Sequence, residues 1–176
     1  HSAAEQKRKT ALLKAKQEII AEIIGSAYQT LNATGYLENS IPDDAEAIRW
    51  LNKNVKGQPV VLEACGDSYQ NYDNRVSAMT GLSTVLGWYV HEWLWRNNLE
   101  EENQRKEDVQ TINTSSNAEQ IKSLIEKYKI SYLFIGSCEV EKYGEINSEF
   151  LTSLGKVVFR QGETMIIEVF DGERGD

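Results

Sequence analysis

The chain has few of the residues on which metal centres and disulfide scaffolds depend. It contains two cysteines and two histidines in 176 residues. Cys65 and Cys138 each follow a predicted strand, which favours a free, buried pair over a disulfide or a catalytic thiolate. His91 and Glu92 begin the zinc pattern H-E-x-x-H, but Trp95 stands where the second histidine is needed. No cofactor or metal is therefore expected, and a metal held by His91, Glu92 and neighbouring acids is the minor alternative.

The chain also lacks a long apolar run and an excess of basic residues. No run approaches the roughly 18 apolar residues of a membrane span, and no signal-peptide pattern is present. The formal net charge is −8, and the basic side chains of residues 1–25 are outweighed by a strongly acidic remainder. Nucleic acid is therefore not an expected partner, because phosphate binding needs a basic face. The basic stretch itself is expected to be a solvated helix face, with anionic lipid headgroups as the alternative contact.

The order of apolar segments predicts an α/β fold. The apolar content of 40% and charged content of 26% are typical of a soluble globular protein. We expect an N-terminal basic amphipathic helix and linker over 1–30, with the helix at 4–24, and a single α/β domain over 31–176. The expected fold is a three-layer sandwich with a mostly parallel sheet, an antiparallel C-terminal hairpin and the extra N-terminal helix. Strands are predicted at 59–64, 130–135, 156–160 and 164–169, and helices from 42 to 57, 98 to 108, 117 to 129 and 147 to 154.

The stretch from Pro59 to Arg96 holds the candidate functional site. It begins as a buried strand and is expected to stay irregular for about twenty residues after Gly66, with acids, a guanidinium, a histidine and three tryptophans. Aromatic rings that alternate with acids suit a saccharide, since ring faces stack on apolar C–H patches while carboxylates bind hydroxyls. Arg75 and Arg96 are expected to pair with acids internally, because a buried guanidinium needs such partners.

A nucleotide-binding turn and a hydrolase triad are two other patterns to consider in the same stretch. The turn after the first strand is neither G-x-G-x-x-G nor a P-loop, and its acids would repel phosphate, so a nucleotide site is not expected. Ser68, His91 and Glu92 are the residues of a possible hydrolase triad, although the pattern G-x-S-x-G is absent. Ser68 as a turn-forming hydroxyl is the preferred interpretation.

Several segments of the chain resemble, in one collinear order, a known family of membrane proteins. The segments are DDAEAIRWLN, VLEACGDSY, RVSAMTGLSTVLGWYVHEWLWR, YKISYLFIGSCEVEKYG and VVFRQGETMIIEV. They are similar to the C-terminal soluble region of the YYY-type multi-pass membrane protein family, over about 31–169. Ser83 replaces the proline of the usual T-G-L-P-T pattern, which removes no reactive group.

The resemblance implies a parent protein whose membrane region resembles the C-type glycosyltransferases. These enzymes use lipid-linked sugar donors, and the catalytic acid usually lies in the membrane region, outside this chain. The resemblance implies an extracytoplasmic soluble domain of a multi-pass membrane glycosyltransferase-like protein, on the cell membrane, that binds a glycan or an acceptor and is not catalytic alone. Its partners would be its own upstream transmembrane region and a glycan or lipid-linked sugar. The ligand-binding residues predicted from the residue pattern and the resemblance together are Glu63, Asp67, Ser68, Tyr69, Arg75, Trp88, His91, Glu92, Trp95, Arg96, Glu139 and Tyr143.

A structural role is the main alternative to binding. In that case the polar site would pack against loops of the protein's own membrane domain, as a rigid cap. A self-contained hydrolase is the third and least favoured interpretation.

Overall fold

The computed structural model describes residues 14, 16–18, 20, 35–66, 72–89, 99–144 and 146–169. The chain divides into two compact units, 1–40 and 41–176, which are described separately. In the first unit the described positions between 14 and 20 are helical, and Lys14 Nζ lies 4.0 Å from Glu18 Oε1 one turn later. A short helix α1 follows at Gly35–Ser40. Most of the helix predicted at 4–24 lies outside the described residues.

The second unit alternates helices and short strands, as the sequence predicts. Its elements are α2 (Pro42–Asn54), β1 (Val60–Leu62), α3 (Arg75–Thr80), β2 (Ser83–Thr84), α4 (Leu99–Thr114), α5 (Ala118–Tyr128), β3 (Ile130–Ile135), α6 (Ser137–Tyr143), α7 (Ser148–Ser153), β4 (Gly155–Gln161) and β5 (Thr164–Val169). The strands form one five-stranded sheet in the order β2-β1-β3-β5-β4. β1 is parallel to β2 and to β3, whereas β5 is antiparallel to β3 and to β4. The α/β fold with an antiparallel C-terminal hairpin is therefore confirmed, on a sheet that is parallel at one end.

Helices cover both faces of this sheet, because successive strand residues point to opposite sides. On one face, Leu133 and Ile135 lie beside Ile167 and Met165 of β5. These side chains join one apolar cluster with residues of α4, α5 and α7, among them Val109, Ile112, Ile121, Ile125 and Leu151. On the other face α2 packs against β4 and β5, and its buried residues include Ala45, Ala47, Ile48 and Leu51. The arrangement is a three-layer sandwich.

Helix ends show why the regular elements were predictable. Asn117 Oδ1 accepts a hydrogen bond from the Gln120 amide N at 3.2 Å, and Asn147 Oδ1 accepts one from the Phe150 amide N at 3.3 Å. Both asparagines act as N-caps, as their positions indicate. Only half of a capping box forms at Asn117, because the Gln120 side chain meets Ser115 Oγ instead.

The region expected to be irregular contains regular structure. Residues 75–80 form α3 and residues 83–84 form β2, so that interpretation was wrong for this part of the chain. Both elements are too short to show a period, and α3 begins with the buried polar residue Arg75. The helix predicted from 98 to 108 extends further, because residues 108–112 are also helical and belong to α4. The helix α6 was not predicted separately.

Candidate functional site

The carboxyl ends of β1, β2 and β3 lie at one edge of the sheet, since these three strands are parallel. β1 lies between the other two: the chain passes from β1 to β2 on one side of it and later crosses to β3 on the other side. In open α/β sheets the crevice at such a point is the usual ligand position. The residues that follow these strands, 63–66, 85–89 and 136–143, therefore define the candidate site.

Arg75 is the centre of a buried network at this edge. It is 2% exposed and comes from the first position of α3. Its guanidinium binds Glu139 with two parallel bonds, Nη1 to Oε1 at 3.2 Å and Nη2 to Oε2 at 2.7 Å. It also binds Asp44 Oδ2, from Nε at 2.9 Å and Nη2 at 2.7 Å, and lies 4.9 Å from the ring centre of Phe134. The prediction that Arg75 pairs internally with acids is confirmed.

Backbone amides and hydroxyls donate further hydrogen bonds to the two acids of this network, Glu139 and Asp44. Glu139 Oε1 accepts from the Ala64 amide at 2.7 Å, and Oε2 accepts from the Gly136 amide at 2.9 Å. Asp44 accepts from the hydroxyls of Ser137 and Thr164. Burial alone would lower the pKa of Arg75, but Glu139 and Asp44 raise it above its ordinary value, so the guanidinium stays charged. The space between the ends of β1 and β3 is therefore filled by the protein's own ion pair.

Gly136 is required for this close packing. A Cβ at Gly136 would lie 2.4 Å from Asp44 Oδ1, which is held within the buried network. No side chain fits there unless Asp44 moves, and Asp44 cannot move without losing Arg75. The glycine after β3 thus permits the acid of α2 to reach the strand ends.

Glu63 fixes the start of α3. Its carboxylate accepts from the amides of Val76 at 2.7 Å and Ser77 at 2.8 Å, and the residue is 1% exposed. Burial raises the pKa of Glu63 to about 7, and the bonds to Ser77, the charge of Arg75 and the bond to Val76 oppose this shift. The preceding Asn74 is left-handed at φ 59°, and its Nδ2 donates to the Leu86 carbonyl at 2.7 Å. Glu63 and Asn74 therefore set the position from which Arg75 enters the network.

A small group that we call the Trp88 patch consists of the surface residues Asp73, Trp88 and Lys142 together with the buried Gly66. Lys142 Nζ lies 3.0 Å from Asp73 Oδ2, and the side chains are 31% and 13% exposed. Trp88 is 37% exposed, and its Nε1 donates to the Asp73 carbonyl at 3.3 Å. A Cβ at Gly66 would lie 1.6 Å from Asp73 Oδ2 and 2.8 Å from Lys142 Nζ. The missing side chain at Gly66 therefore allows the ion pair to lie over the backbone after β1.

The two cysteines are free and buried, as expected. Cys65 Sγ lies 4.0 Å from the Tyr143 hydroxyl, and Cys138 Sγ lies 3.9 Å from the Tyr72 carbonyl. Burial raises the pKa of the Cys65 thiol and raises that of Cys138 to about 12. Burial also raises the pKa of Tyr143 above its ordinary value. These groups are therefore neutral near pH 7, and neither thiol has the character of a nucleophile.

The structure brings some of the predicted site residues together and leaves others undescribed. Glu63, Arg75 and Glu139 meet in the buried network, whereas Trp88 belongs to the exposed patch and Tyr143 lies beside Cys65. For all of these the ligand-binding role stays a prediction. The predicted residues that lie outside the described part of the chain are Asp67, Ser68, Tyr69, His91, Glu92, Trp95 and Arg96.

Sequence reasoning missed three charged residues of the site. Asp44 was assigned to the first turn of a helix, where an acid suits the dipole, and its burial at 1% gives no sequence signal. Asp73 and Lys142 are 69 residues apart, and only the parallel order of β1 and β3 brings them together. The one available signal was the position of both residues shortly after predicted strands.

A second concave surface lies between α4 and α5. This open cleft of about 360 Å³ is lined by Glu100, Glu101, Gln104, Arg105, Lys127 and Tyr128. Its cations are already paired, Arg105 with Glu101 at 2.8 Å and Lys127 with Asp108 at 2.7 Å. Both cations that line the cleft are therefore already committed to acids.

The described residues contain neither a metal-binding cluster nor a membrane-spanning helix. No group of three or more His, Cys, Asp or Glu side chains there is arranged to hold a metal ion. No helix of that part of the chain is long and apolar enough to cross a bilayer.

The comparisons with known proteins found similarity among solved structures. No family model and no curated protein matches the sequence. Among solved structures, the C-terminal globular domain of an oligosaccharyltransferase from Archaeoglobus fulgidus aligns with a TM-score of 0.43 and 15% identity. The alignment covers 71% of this chain and 95% of that domain. A similarity of this degree carries no argument about activity.

Proposed function

We propose that this chain binds a glycan or a saccharide acceptor through the Trp88 patch and is not catalytic alone. We further propose that it is the extracytoplasmic domain of a membrane glycosyltransferase-like protein, with its own upstream transmembrane region as partner. The observation that carries the binding role is the exposed indole of Trp88, which is bonded to the backbone carbonyl of Asp73, the residue whose carboxylate pairs with Lys142. The membrane parent is supported by the sequence resemblance to the YYY-type family.

The chemistry of the patch suits a saccharide. An indole offers an apolar face for the C–H groups of a sugar ring, and its N–H is already used in fixing the ring. Asp73 accepts hydrogen bonds from hydroxyls, whereas Lys142 donates to them. The backbone on either side of the patch is held by the buried Arg75 network, which pre-organises the surface and reduces the entropy lost on binding.

The described acids and thiols of the site have structural roles, which supports the proposal that the chain is not catalytic alone. A carboxyl group with a pKa of about 7, as at Glu63, is often a general acid or base. Here both Glu63 oxygens accept backbone amides in a site that is 1% exposed, so the group has a structural use. Glu139 is likewise bonded through both oxygens, and both thiols are neutral. No described nucleophile is paired with a base in reach of a substrate.

A chemical-shift titration of the whole chain tests this proposal. The ¹⁵N-labelled protein is titrated with a panel of methyl glycosides and with soluble headgroups of polyprenyl-phosphate sugars. The expected result is a saturable shift of the Trp88 indole N–H and of the Gly66 and Lys142 amides. Shifts confined to residues outside the patch, or none at millimolar saccharide, would contradict it.

A second candidate function is a rigid structural cap on a membrane domain. The specific observation in its favour is that Glu63, Arg75 and Glu139 are all buried and bonded internally. In that case the Trp88 patch would contribute to stability or to packing against the parent protein, and it would not bind saccharides. Measurement of both the stability and the saccharide affinity of Trp88→Ala separates the two functions.

A further inference from the structure

The Asp73–Lys142 pair places an acceptor and a donor side by side at the surface. Asp73 Oδ2 and Lys142 Nζ are 3.0 Å apart, and both side chains keep part of their surface exposed. An ammonium carries three N–H donors and a carboxylate has about four acceptor positions, so one mutual bond leaves capacity on both groups. The pair is therefore able to bind a ligand without first breaking.

This spacing matches two neighbouring hydroxyls of a sugar ring. Hydroxyls on adjacent ring carbons are themselves separated by about one hydrogen-bond length. One hydroxyl donates to the carboxylate while its neighbour accepts from the ammonium, and both bonds are strengthened by charge. A single hydroxyl, or two hydroxyls further apart, uses only one of the two groups.

Trp88 and Gly66 decide on which side of the pair a ligand lies. The Trp88 indole donates to the backbone carbonyl of Asp73, and Trp88 is 37% exposed, so an apolar surface is fixed to the residue that also supplies the acceptor carboxylate. Gly66 presents no side chain on the backbone beneath the pair, where a Cβ would clash with Asp73 Oδ2. A sugar ring with an apolar C–H face therefore fits against the indole with its hydroxyl edge toward the ion pair.

The charge of the site favours a neutral ligand. An anionic group that approaches Lys142 also meets Asp73, and a chain with a net charge of −8 repels anions at long range. A cationic group that approaches Asp73 is likewise repelled by the positive charge of Lys142. Neutral hydroxyls accept from one partner and donate to the other without this conflict.

We infer that the Trp88 patch binds a neutral saccharide through a vicinal diol, with one hydroxyl on Asp73, the next on Lys142 and the ring face against Trp88. This inference rests on the proposed function and specifies its ligand class. It makes two hydroxyls of one sugar residue the determinant of specificity.

Deoxy sugars test the inference on the unaltered chain, so no variant has to fold. The probes are methyl α-glucoside, methyl α-mannoside and methyl α-galactoside, each with its monodeoxy analogues, followed by the Trp88 indole N–H shift. Removal of either hydroxyl of one adjacent pair is expected to weaken binding about tenfold or more, since each bonds a charged group. Removal of a hydroxyl outside that pair is expected to change the dissociation constant less than about twofold.

Variants then assign each hydroxyl to its partner. Asp73→Asn and Lys142→Met are each expected to weaken binding of the parent glycoside about tenfold. Each variant is then expected to bind the parent glycoside no better than the deoxy analogue that lacks the hydroxyl for the lost contact. Arg49→Met, which breaks an exposed ion pair with Glu46 on α2, is the matched control and is expected to leave binding unchanged.

The outcomes separate this inference from the function on which it rests. If the parent glycosides shift Trp88 but every deoxy analogue binds within twofold, the vicinal diol is overturned and saccharide binding stands. If a phosphorylated or uronic acid analogue binds more tightly than its neutral parent, the neutral ligand class is overturned. If no glycoside shifts the patch, the proposed function fails and this inference fails with it.

Discussion

Arg75 and Glu139 form a two-bond ion pair across 64 residues of sequence, with both side chains fully buried. The pair lies between the ends of two parallel strands, where an α/β protein commonly binds a ligand. Glu139 takes the backbone amides of Ala64 and Gly136 that an anionic ligand would otherwise use. A ligand is therefore left with the more exposed groups of this edge, which is why the proposed binding surface is the Trp88 patch.

Replacement of Arg75 by methionine is expected to destabilise the fold by about 3–5 kcal/mol, because two buried carboxylates lose their cation. The double variant Arg75→Met with Glu139→Gln is expected to lose less than the sum of the two single changes, since the residues share one interaction. Urea unfolding followed by circular dichroism measures both. Additive losses would show that the two side chains are not energetically coupled.

Arg49→Met is the control for this prediction. Arg49 pairs with Glu46 one turn away on α2, and both side chains are about half exposed. Exposed pairs of this kind contribute roughly 0–1 kcal/mol, so little change is expected. A comparable loss in both variants would mean that burial of the Arg75 network is not what makes it important.

The pH dependence of stability is expected to carry a contribution from Glu63. Its pKa is about 7 in the fold, against an ordinary value of 4.5, so the folded state binds the proton more tightly. This contribution is therefore complete below about pH 4.5 and is lost as pH rises through 7, a change of roughly 3 kcal/mol. Glu63→Gln keeps the shape of the side chain and cannot titrate.

The measurement compares the free energy of unfolding of the wild type and of Glu63→Gln between pH 4 and pH 9. The difference between the two curves isolates Glu63 from acids that behave oppositely, such as Asp108. Burial alone would raise the pKa of Asp108, but its bonds to Lys127, Tyr128 and Gln104 lower it. Parallel curves over the whole range would contradict the assignment to Glu63.

The regular part of the fold could be predicted from sequence because its signals are local. β3 was predicted at the residues where it occurs, since Ile130–Ile135 is apolar or aromatic at every position except Ser131. Asn117 and Asn147 mark helix starts through bonds to amides three residues later. These signals need no knowledge of tertiary contacts.

The site could be predicted only in part, because its bonds join distant segments. Arg75 was recognised as a residue in need of acids, but the partners Asp44 and Glu139 lie 31 and 64 residues away. Lys142 carried no signal of its own, since an exposed lysine on a short helix is common. Pairing across that distance follows from strand order, which periodicity does not specify.

Gly136→Ala is expected to cost more stability than Gly66→Ala. A Cβ at Gly136 meets Asp44, which is immobilised by buried bonds, so we expect a loss of about 2–4 kcal/mol. A Cβ at Gly66 meets the end of the partly exposed Asp73 side chain, which can rotate away, so we expect about 1 kcal/mol or less. Gly66→Ala is nevertheless expected to abolish saccharide binding, because it displaces the ion pair. Equal losses of stability would contradict this view of the two glycines.

Glu102→Met is expected to stabilise the protein. Glu102 is 1% exposed, and neither carboxylate oxygen has a hydrogen-bond partner among the described residues. Burial of an unpaired polar group costs roughly 1–3 kcal/mol, whereas a carboxylate in the first turn of a helix gains only about 0.3–1 kcal/mol from the dipole. The net expectation is a gain of about 1–2 kcal/mol, measured by urea unfolding, with Glu101→Met on the exposed face of α4 as the control. A loss of stability in Glu102→Met would show that the carboxylate has a favourable role.

Trp88→Ala distinguishes the binding function from the structural cap. Trp88 is 37% exposed, and its Nε1 donates to the backbone carbonyl of Asp73. If the ring serves a ligand, its removal is expected to cost at most about 1 kcal/mol of stability and to eliminate the saccharide-induced shifts of Gly66 and Lys142. If the ring serves the scaffold, the variant is expected to lose about 3 kcal/mol or more, as buried tryptophans do.

Trp50→Ala is the matched control, because Trp50 lies on α2 and packs against Phe159 of β4, at the opposite end of the sheet from β1 and β2. It is expected to lower the melting temperature more than Trp88→Ala and to leave the dissociation constant for methyl glycosides unchanged, since it contacts no part of the patch. Melting curves and NMR titrations on the same two samples therefore give opposite rankings if Trp88 binds a saccharide. A Trp88→Ala protein that melts earlier than Trp50→Ala yet binds methyl glycosides normally would assign the ring to the scaffold.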